Sequence, residues 1–481
     1  MNIKLLMVLT GFALLIDGGG LLLPLGLAVF EAEHQIIAFL IPAALAFLVG
    51  AGLIHYGKDY KERLLVREGV LLMPLIWCSL IIFGLLPYVI AGRLGWIDAL
   101  CESVSGFTTT GLTLLGNDET RPVIFWRSLT QWIGGLNIIM LLVTLMPQMN
   151  SGISLKIVLP PNMSFARIVH SMQRMANGVA AVYFSLTAIA CCAFLFSGLN
   201  FFDSLNMAMV TLATGGCYWS EAVVEGTNSA AEIITMIFMM LSGGNFLLYW
   251  QAARRRQLDD ILQNRELRTY FTICFAVGIF VSVHIWSQGV YDFVSSLRYG
   301  FFETASFLST TGFYTSRFPF WPELDQHLLF LLVFIGGCVG SSAGGFKVLR
   351  FMILGKSALK ELKRMLHPHM IINISIGKYP VPQEVVGWVF TFFFLYMIVF
   401  FGFSALVSLE GVDEFQSMGI VAACFSNVGT ASLWAESVGS FGVLSVGTRL
   451  LCCILMILGR IEIFSVLVVV EFLLSRNNNR W

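Results

Sequence analysis

Residues 303–312 have the sequence ETASFLSTTG, a short semi-apolar stretch that ends in two threonines and a glycine. Comparable stretches occur at residues 102–111 (ESVSGFTTTG), 206–215 (NMAMVTLATG) and 420–429 (IVAACFSNVG). The four copies recur about every hundred residues, and self-similarity at a regular spacing indicates a repeated structural unit. The sequence therefore predicts four units of one design.

Long apolar segments flank each copy. Of the 481 residues, 57% are hydrophobic and 12% are charged, whereas soluble domains carry about a quarter charged residues. A helix needs about 20 apolar residues to cross a bilayer. This criterion predicts ten spans, at residues 5–30, 37–56, 70–91, 123–146, 178–199, 233–250, 270–285, 328–354, 385–409 and 444–474. Shorter segments at residues 98–109, 203–213, 295–310 and 413–426 are predicted to be re-entrant.

These segments predict an all-α polytopic membrane protein. Four span–pore helix–span repeats should surround a central ion pathway, preceded by a two-helix N-terminal unit. The predicted boundaries are residues 1–66 for the N-terminal unit and 67–175, 176–268, 269–378 and 379–481 for the four repeats. Aspartates can cap the free N–H groups where a helix begins. Asp98, Asp203 and Asp413 are therefore predicted N-caps of the short helices, with Asp292 a weaker candidate.

The end of each short segment has the chemistry of a cation site. A helix that points its C-terminal end into the membrane favours a cation there, and glycine adopts backbone angles that other residues avoid. Four such strands around an axis would form rings of carbonyl oxygens that replace the hydration shell of an alkali cation. A helix C-cap followed by a turn explains one copy, but poorly explains four. The predicted filter strands are Thr109–Thr113, Ala213–Cys217, Thr310–Tyr314 and Asn427–Ala431.

Small residues recur in the span after each strand, and they permit close helix packing. Packing is a sufficient explanation for Gly134-Gly135 and Gly243-Gly244. Residues 336–345 (GGCVGSSAGG) are too glycine-rich for a continuous helix and are predicted to form a loop partway across the membrane. Arg460 lies inside the last span, and an intramembrane cation indicates a functional role by default. The alternative is a structural pair with Glu462 or with helix carbonyls.

With these features the chain resembles the Trk/Ktr/HKT superfamily of potassium transporters, and within it the TrkH family. The resemblance covers essentially the whole chain, including the sequence WRSLTQWIGG at residues 126–135, the glycine-rich loop and Arg460. It implies potassium uptake across the bacterial inner membrane, with K+ and Rb+ favoured over Na+ and Li+. It also implies a homodimer with one pore per subunit, controlled by a cytoplasmic TrkA-type regulatory ring that binds NAD or ATP/ADP.

The resemblance assigns roles to particular residues of this chain. The potassium-binding filter falls on Thr109, Thr110 and Gly111; on Ala213, Thr214 and Gly215; on Thr310, Thr311 and Gly312; and on Asn427, Val428 and Gly429. The gate falls on Gly336, Gly337, Gly340, Ser341, Gly344, Gly345 and Arg460. Glycine in all four strands suits potassium. Ala213 departs from the usual hydroxyl residue, and Asn427-Val428 makes the fourth strand the least regular, so the rings should be asymmetric.

Charge predicts the orientation and the partners. Most of the Lys and Arg residues lie in alternate connections, and positive charge favours the cytoplasmic side. Both termini and the basic loops at residues 254–268 and 347–378 are therefore predicted to be cytoplasmic. These loops could also dock an acidic face of a regulator, through Lys360, Lys363 and Arg364. Basic and acidic residues number 29 each, and this balance gives no support to nucleic-acid binding. The predicted environment of the protein is membrane lipid.

Two other classes of protein compete with this interpretation. A secondary transporter with broken helices usually has two inverted halves, whereas the four units here share one orientation; the sequence leaves open whether flux is passive or coupled to H+ or Na+. A membrane enzyme or electron carrier needs paired histidines or a cluster of acidic and histidine residues, and the sequence has neither pattern. Glu102 and Glu303 are interpreted as buried hydrogen-bonding partners. We predict no enzyme activity and no cofactor, with potassium as the substrate.

Overall fold

The computed structural model describes residues 3–31, 35–58, 66–116, 119–145, 165–217, 228–257, 259–314, 318–367, 369–370, 372–377, 379–429 and 441–461. Two long helices open the chain, α1 (Ile3–Phe30) and α2 (Ile36–Gly57). They run antiparallel and in close contact, since a Cβ atom on Gly11 would lie 2.7 Å from the carbonyl oxygen of Gly50. Close backbone approach of this kind is typical of helix pairs in lipid. The first two predicted spans are therefore present as helices.

The regular secondary structure in the rest of the described chain is also helical apart from one small hairpin. Its helices are α3 (Val66–Ile90), α4 (Trp96–Phe107), α5 (Arg121–Leu145), α6 (Phe165–Phe196), α7 (Phe201–Ala213), α8 (Ser229–Ser242), α9 (Phe246–Arg255), α10 (Asp259–Leu262), α11 (Arg265–Ser287), α12 (Phe293–Leu308), α13 (Glu323–Ile335), α14 (Val348–Leu366), α15 (Gln383–Leu409), α16 (Glu414–Phe425) and α17 (Val446–Ile461). Strands β1 (Ser375–Ile376) and β2 (Tyr379–Pro380) pair antiparallel. Short 3-10 turns occupy Phe318–Phe320 and Phe441–Val443.

By length and composition, five of the described helices can cross a membrane. They are α1, α2, α11, α15 and residues 173–196 of α6, and the pair α8 and α9 would make a sixth if it were taken as one broken span. The segments predicted as spans at residues 70–91 and 123–146 are helical, as α3 and α5, but these two helices are not among the five. The span at 444–474 is present as α17 as far as Ile461, and the remainder lies outside the described residues.

The prediction of one continuous span at residues 233–250 is wrong. Helix α8 ends at Ser242 and α9 begins at Phe246, and the two helices are bent by 89°. The side-chain oxygen of Asn245 accepts hydrogen bonds from the backbone N–H groups of Leu247 (2.9 Å) and Leu248 (3.3 Å). A side chain that satisfies the free N–H groups of a new helix start is an N-cap. The glycines at 243 and 244 therefore mark a helix break as well as close packing.

The predicted interruption of the span at residues 328–354 is confirmed. Helix α13 ends at Ile335, α14 begins at Val348, and no helix is assigned between them. Gly336, Gly340 and Gly345 have φ values of 69°, 84° and 75°. Glycine is favoured in this region of φ because it has no Cβ atom. We call residues 336–345 the glycine-rich loop.

The four short helices α4, α7, α12 and α16 coincide with the segments predicted to be re-entrant. Asp292 caps α12 and Asp413 caps α16, each accepting a backbone N–H. The cap predictions for Asp98 and Asp203 are wrong, because Gly95 and Asn200 occupy the cap positions. Both aspartates lie in the first turn instead, where a negative charge still complements the helix N-terminus.

The helices close into a ring. The helix that follows each short helix also contacts the short helix of the next unit, so that α5 contacts α7, α8 contacts α12, α13 contacts α16, and α17 returns to α4. We call these four contacts between helices the seams, and two of them carry ion pairs between described residues. Glu232 pairs with Arg298 at 3.0 Å in the second seam, and Asp98 pairs with Arg449 in the last. The last seam joins the two ends of the repeated part of the chain.

Candidate ion pathway

A three-residue segment with one repeated backbone conformation follows each short helix. We call these the ring segments: Thr109–Gly111, Thr214–Gly216, Thr310–Gly312 and Asn427–Gly429. The first residue of each is left-handed, with φ values of 54°, 55°, 56° and 54°, and the third is a glycine with φ values of 80°, 64°, 82° and 74°. Left-handed residues other than glycine are uncommon and strained. The same strain in four places indicates one conformation built four times.

The second ring segment lies one residue later than the predicted register. Ala213 is the last residue of α7, and Thr214 has the left-handed conformation. Gly216, not Gly215, therefore corresponds to Gly111 of the first segment. The sequence could not decide between the two registers, because the pair Gly215-Gly216 can be aligned in either way. In the corrected register the left-handed position holds a threonine in each of the first three segments.

The ring segments contact one another in a closed cycle. A Cβ atom on the third residue of each segment would overlap the middle carbonyl oxygen of the next segment. The overlapping pairs are Gly111 with Gly215, Gly216 with Thr311, Gly312 with Val428, and Gly429 with Thr110. Four backbone carbonyl groups thus lie around one centre, one from each segment. A side chain at any of the four glycine positions would push a carbonyl out of this ring.

The electrostatics of this centre favour a cation. All four short helices end next to it, and the C-terminal end of a helix carries a partial negative charge. The threonines at 109, 110, 310 and 311 are fully buried. Among the residues that the structure describes, no group of three or more His, Cys, Asp or Glu side chains could hold a metal ion. A cation at the centre would therefore meet carbonyl oxygens rather than carboxylates.

Glu102 braces the chain just beyond the first ring segment. Its carboxylate accepts hydrogen bonds from the Thr113 hydroxyl (2.9 Å) and from the backbone N–H of Leu114 (2.7 Å). Arg127 donates to the same hydroxyl at 3.2 Å. The prediction that Glu102 is a buried hydrogen-bonding partner is confirmed. Glu303, at the same distance before its glycine, is also fully buried.

The glycine-rich loop packs against three of the four ring segments or their caps. The Thr214 hydroxyl donates to the carbonyl of Ser342 at 2.9 Å, and the Thr310 hydroxyl accepts from the backbone N–H of Gly344 at 2.6 Å. A Cβ atom on Gly344 would overlap the carbonyl oxygen of Ser426. The loop thus lies directly against the helix-side ends of the second, third and fourth ring segments.

Arg460 reaches the same loop. Its Nη1 donates to the carbonyl of Ser342 at 2.8 Å, and the residue is 3% exposed. Its Nε and Nη2 atoms have no hydrogen-bond partner within the described part of the chain. The predicted bond between Arg460 and a loop carbonyl is present. Glu462, the alternative partner, lies outside the described residues.

Comparison with known proteins places the chain in a family. A family of cation transport proteins, TrkH, matches residues 35–480. The chain belongs to the TrkH family. It is therefore a membrane transport protein and not an enzyme. It is 32% identical over 479 residues to the Trk system potassium uptake protein TrkH of Halomonas elongata, with 97% of this chain and 98% of that protein covered.

Other members of the TrkH family are similar along their whole length. TrkG of Escherichia coli, also a Trk system potassium uptake protein, is 30% identical, with 97% of each chain covered. The crystal structure of the potassium transporter TrkH from Vibrio parahaemolyticus superimposes with a TM-score of 0.88 at 29% identity, covering 98% of both chains. The all-α architecture predicted from the sequence is confirmed by this similarity.

In this member of the TrkH family, further anchors of the loop were not identified from the sequence. The Glu266 carboxylate accepts a hydrogen bond from the backbone N–H of Val339 at 2.6 Å. The backbone N–H of Cys338 donates to the carbonyl of Gly243 at 2.8 Å, and that of Phe246 donates to Gly340 at 3.1 Å. The loop is therefore fixed to the break between α8 and α9. The signal available in the sequence was an acidic residue at the start of an apolar segment, and the structure shows that this residue is buried.

Proposed function

We propose that this protein takes up potassium ions across the bacterial inner membrane through a selectivity filter formed by the four ring segments. The observation that carries the proposal is the closed cycle in which each glycine lies against the middle carbonyl of the next segment. Its relatives in Halomonas elongata and Escherichia coli are named Trk system potassium uptake proteins, which supports potassium as the substrate.

Carbonyl rings give a physical reason for selectivity. Backbone oxygens held at the right separation replace the hydration shell of K+ or Rb+, whereas the smaller Na+ and Li+ are less well matched. The proposed filter comprises Thr109, Thr110 and Gly111; Thr214, Gly215 and Gly216; Thr310, Thr311 and Gly312; and Asn427, Val428 and Gly429. The four middle residues are of three types, threonine in the first and third segments, glycine in the second and valine in the fourth. Backbone coordination tolerates this because the side chains do not supply the ligands.

The glycine-rich loop and Arg460 form the proposed gate. The loop fills the space against three ring segments, so an ion leaving the filter on that side would meet it. The guanidinium of Arg460 adds a positive charge, which repels a cation in a poorly solvated site. Its hydrogen bond to Ser342 holds the loop in this position. Opening requires the loop to move away from Thr214 and Thr310.

Cation flux into sealed liposomes that contain the purified protein tests both proposals. We expect K+ and Rb+ to enter faster than Na+ and Li+, and we expect flux to rise in Arg460→Ala because the loop loses its anchor. Equal flux of all four ions in a folded preparation would contradict the filter. Unchanged or reduced flux in Arg460→Ala would contradict the gate. Flux that requires an imposed H+ or Na+ gradient would favour coupled transport.

A cytoplasmic TrkA-type ring that binds NAD or ATP/ADP is the proposed regulator, acting on a homodimer. Its proposed contact is formed by three basic side chains on α14, the half-buried Lys360 and the exposed Lys363 and Arg364. We expect the triple change to Gln to abolish co-purification with such a ring. The matched control is the change of the exposed residues Lys4, Lys58 and Arg174 to Gln, which removes equal charge outside the two basic loops. Unchanged co-purification of the α14 variant would contradict the proposed contact.

The proposed orientation places both termini and the basic connections in the cytoplasm. A reporter enzyme that is active only outside the inner membrane, fused to the C-terminus, should be inactive. The same reporter inserted between α15 and α16, near Gly411, should be active. Activity in the C-terminal fusion would reverse the orientation.

A further inference from the structure

The second ring segment lacks the side-chain support that two of its counterparts have. In the first, the Thr108 hydroxyl bonds to that of Thr110 at 2.8 Å. In the third, the Ser309 hydroxyl bonds to that of Thr311 at 2.6 Å. The equivalent positions of the second segment hold Ala213 and Gly215, which have no hydroxyl group. The segment nevertheless has the same backbone conformation as the others.

The side chain of Gln131, on α5 of the preceding repeat, occupies the space beside Gly215 where a side chain of the second segment would otherwise lie. Gln131 is 1% exposed, and a Cβ atom on Gly215 would overlap its Oε1 and lie 2.7 Å from its Cδ and 3.1 Å from its Cγ. The Oε1 atom has no hydrogen-bond partner in the described part of the chain. A buried unpaired amide oxygen costs about 1–3 kcal/mol. The position of the Oε1 atom is therefore not explained by a hydrogen bond of its own.

Glycine contacts show which residues correspond to Gln131 in other repeats. Gly135 packs against Ala213 as Gly243 packs against Ser309, so the residue four positions earlier, Gln131, corresponds to Met239. Gly134 and Gly459 each lie against the last carbonyl of their own short helix, and by this alignment Gln131 corresponds to Met456. Both methionines are fully buried. The polar side chain thus faces the segment that has no side chain at its middle residue.

We propose that Gln131 is the positioning residue of the second ring segment and determines the selectivity of the filter. Its side chain occupies the volume that Thr110 and Thr311 fill in their own segments, and it keeps the Gly215 carbonyl in the ring. Selectivity by carbonyl groups depends on how their number and separation are held, and a cavity beside a glycine segment would let the carbonyl move. This inference rests on the proposed function.

Relative flux of K+ and Na+ in liposomes tests the inference. We expect Gln131→Ala to lower the K+/Na+ ratio by about tenfold, which corresponds to about 1.4 kcal/mol, with K+ flux retained. Gln131→Met keeps the volume and should keep the ratio. The matched control is Met239→Ala, which removes an equivalent side chain facing a segment with its own hydroxyl pair, and which should leave the ratio unchanged. Melting temperatures of the detergent-solubilised proteins show whether each variant is folded.

A compensating variant separates positioning from general damage. Gly215→Thr alone should abolish flux, because its side chain would overlap Gln131. The combination of Gln131→Ala, Ala213→Ser and Gly215→Thr rebuilds the hydroxyl pair of the first and third segments, and should restore the ratio.

Two results would overturn the inference while leaving the proposed function intact. One is a folded Gln131→Ala protein with the parent K+/Na+ ratio. The other is a loss in Gln131→Met as large as in Gln131→Ala. A parent protein that does not discriminate K+ from Na+ would instead contradict the proposed function.

Discussion

The first and third ring segments differ from the second and fourth in what holds them. The first and third are each supported by a hydroxyl pair from their own repeat. The fourth is supported by its neighbours, since Asn427 Nδ2 donates to the Thr110 hydroxyl at 2.9 Å and to the carbonyl of Met456 at 3.0 Å. The second packs against Gln131. Around the ring, segments supported by hydroxyl groups of their own repeat thus alternate with segments supported by contacts with neighbouring elements.

The largest expected effect is on the feature that all four segments share. Gly312→Ala places a Cβ atom on the carbonyl oxygen of Val428, at a residue whose φ is 82°. Backbone strain alone costs about 1–3 kcal/mol, and the displaced carbonyl should abolish K+ flux into liposomes. The control is Gly402→Ala in α15, where a Cβ atom meets nothing within 4 Å. Normal flux in Gly312→Ala would show that the ring tolerates a side chain and would contradict the filter.

The next effect concerns support between segments. Asn427→Ala removes the hydrogen bonds that tie the fourth segment to Thr110 and to Met456. At about 1 kcal/mol for each bond, we expect a loss of about 2 kcal/mol in unfolding free energy. The K+/Na+ ratio should fall as well, because two segments lose their common anchor. Thermal unfolding in detergent and liposome flux check the two parts. A fall in stability with an unchanged ratio would confine Asn427 to a structural role.

A smaller effect is expected from local support. Thr311→Val keeps the shape of the side chain but removes its bond to Ser309, and should cost about 1 kcal/mol. Because the hydroxyl pair lies in one repeat, the change should alter the ratio less than Asn427→Ala does. The comparison requires both variants in the same flux assay. A larger loss of selectivity in Thr311→Val would reverse the order of importance of local and neighbouring support.

The smallest functional effect is expected at the last seam. The Sγ atoms of Cys101 on α4 and Cys453 on α17 are 3.0 Å apart although the residues are 352 positions apart in the chain. Diamide should accept the two protons and two electrons of these thiols as a disulfide forms. Because the seam only closes the ring, K+ flux should stay near the parent value. Peptide mapping checks the cross-link, and Cys101→Ser is the control. Loss of flux on cross-linking would show that this seam moves during transport.

Much of the fold could be predicted because apolar length and repetition are properties of the chain itself. The spans at residues 5–30 and 37–56, the four short helices and the break after Ile335 all followed from local composition. The break at Asn245 did not, since a pair of glycines suits close packing and a helix end equally well. Its cap is formed by a side chain whose role depends on the helix direction beyond it. The N-cap at Asn200 was missed for the same reason, whereas α4 begins after Gly95 without any side-chain cap.

The candidate site could be predicted in part. The threonine and glycine residues of the first and third segments were assigned by their repetition, and the bond from Arg460 to a loop carbonyl was expected. The register of the second segment was not, because two adjacent glycines carry no information about which has the positive φ. Glu266 and Gln131 were not assigned, since neither belongs to a repeated pattern and each acts on a residue distant in the chain.

The sequence by itself determined that this protein lies in a membrane, that four similar short segments recur along it, and that each of them ends in glycine. These depend on transfer of side chains to lipid and on local backbone freedom, and both are fixed by residue type. Only the tertiary structure decided which carbonyl faces which glycine, that Gly216 rather than Gly215 completes the second segment, and that Gln131 lies beside it. Those relations join different repeats, and the positions of neighbouring helices fix them through packing that no local stretch of sequence specifies.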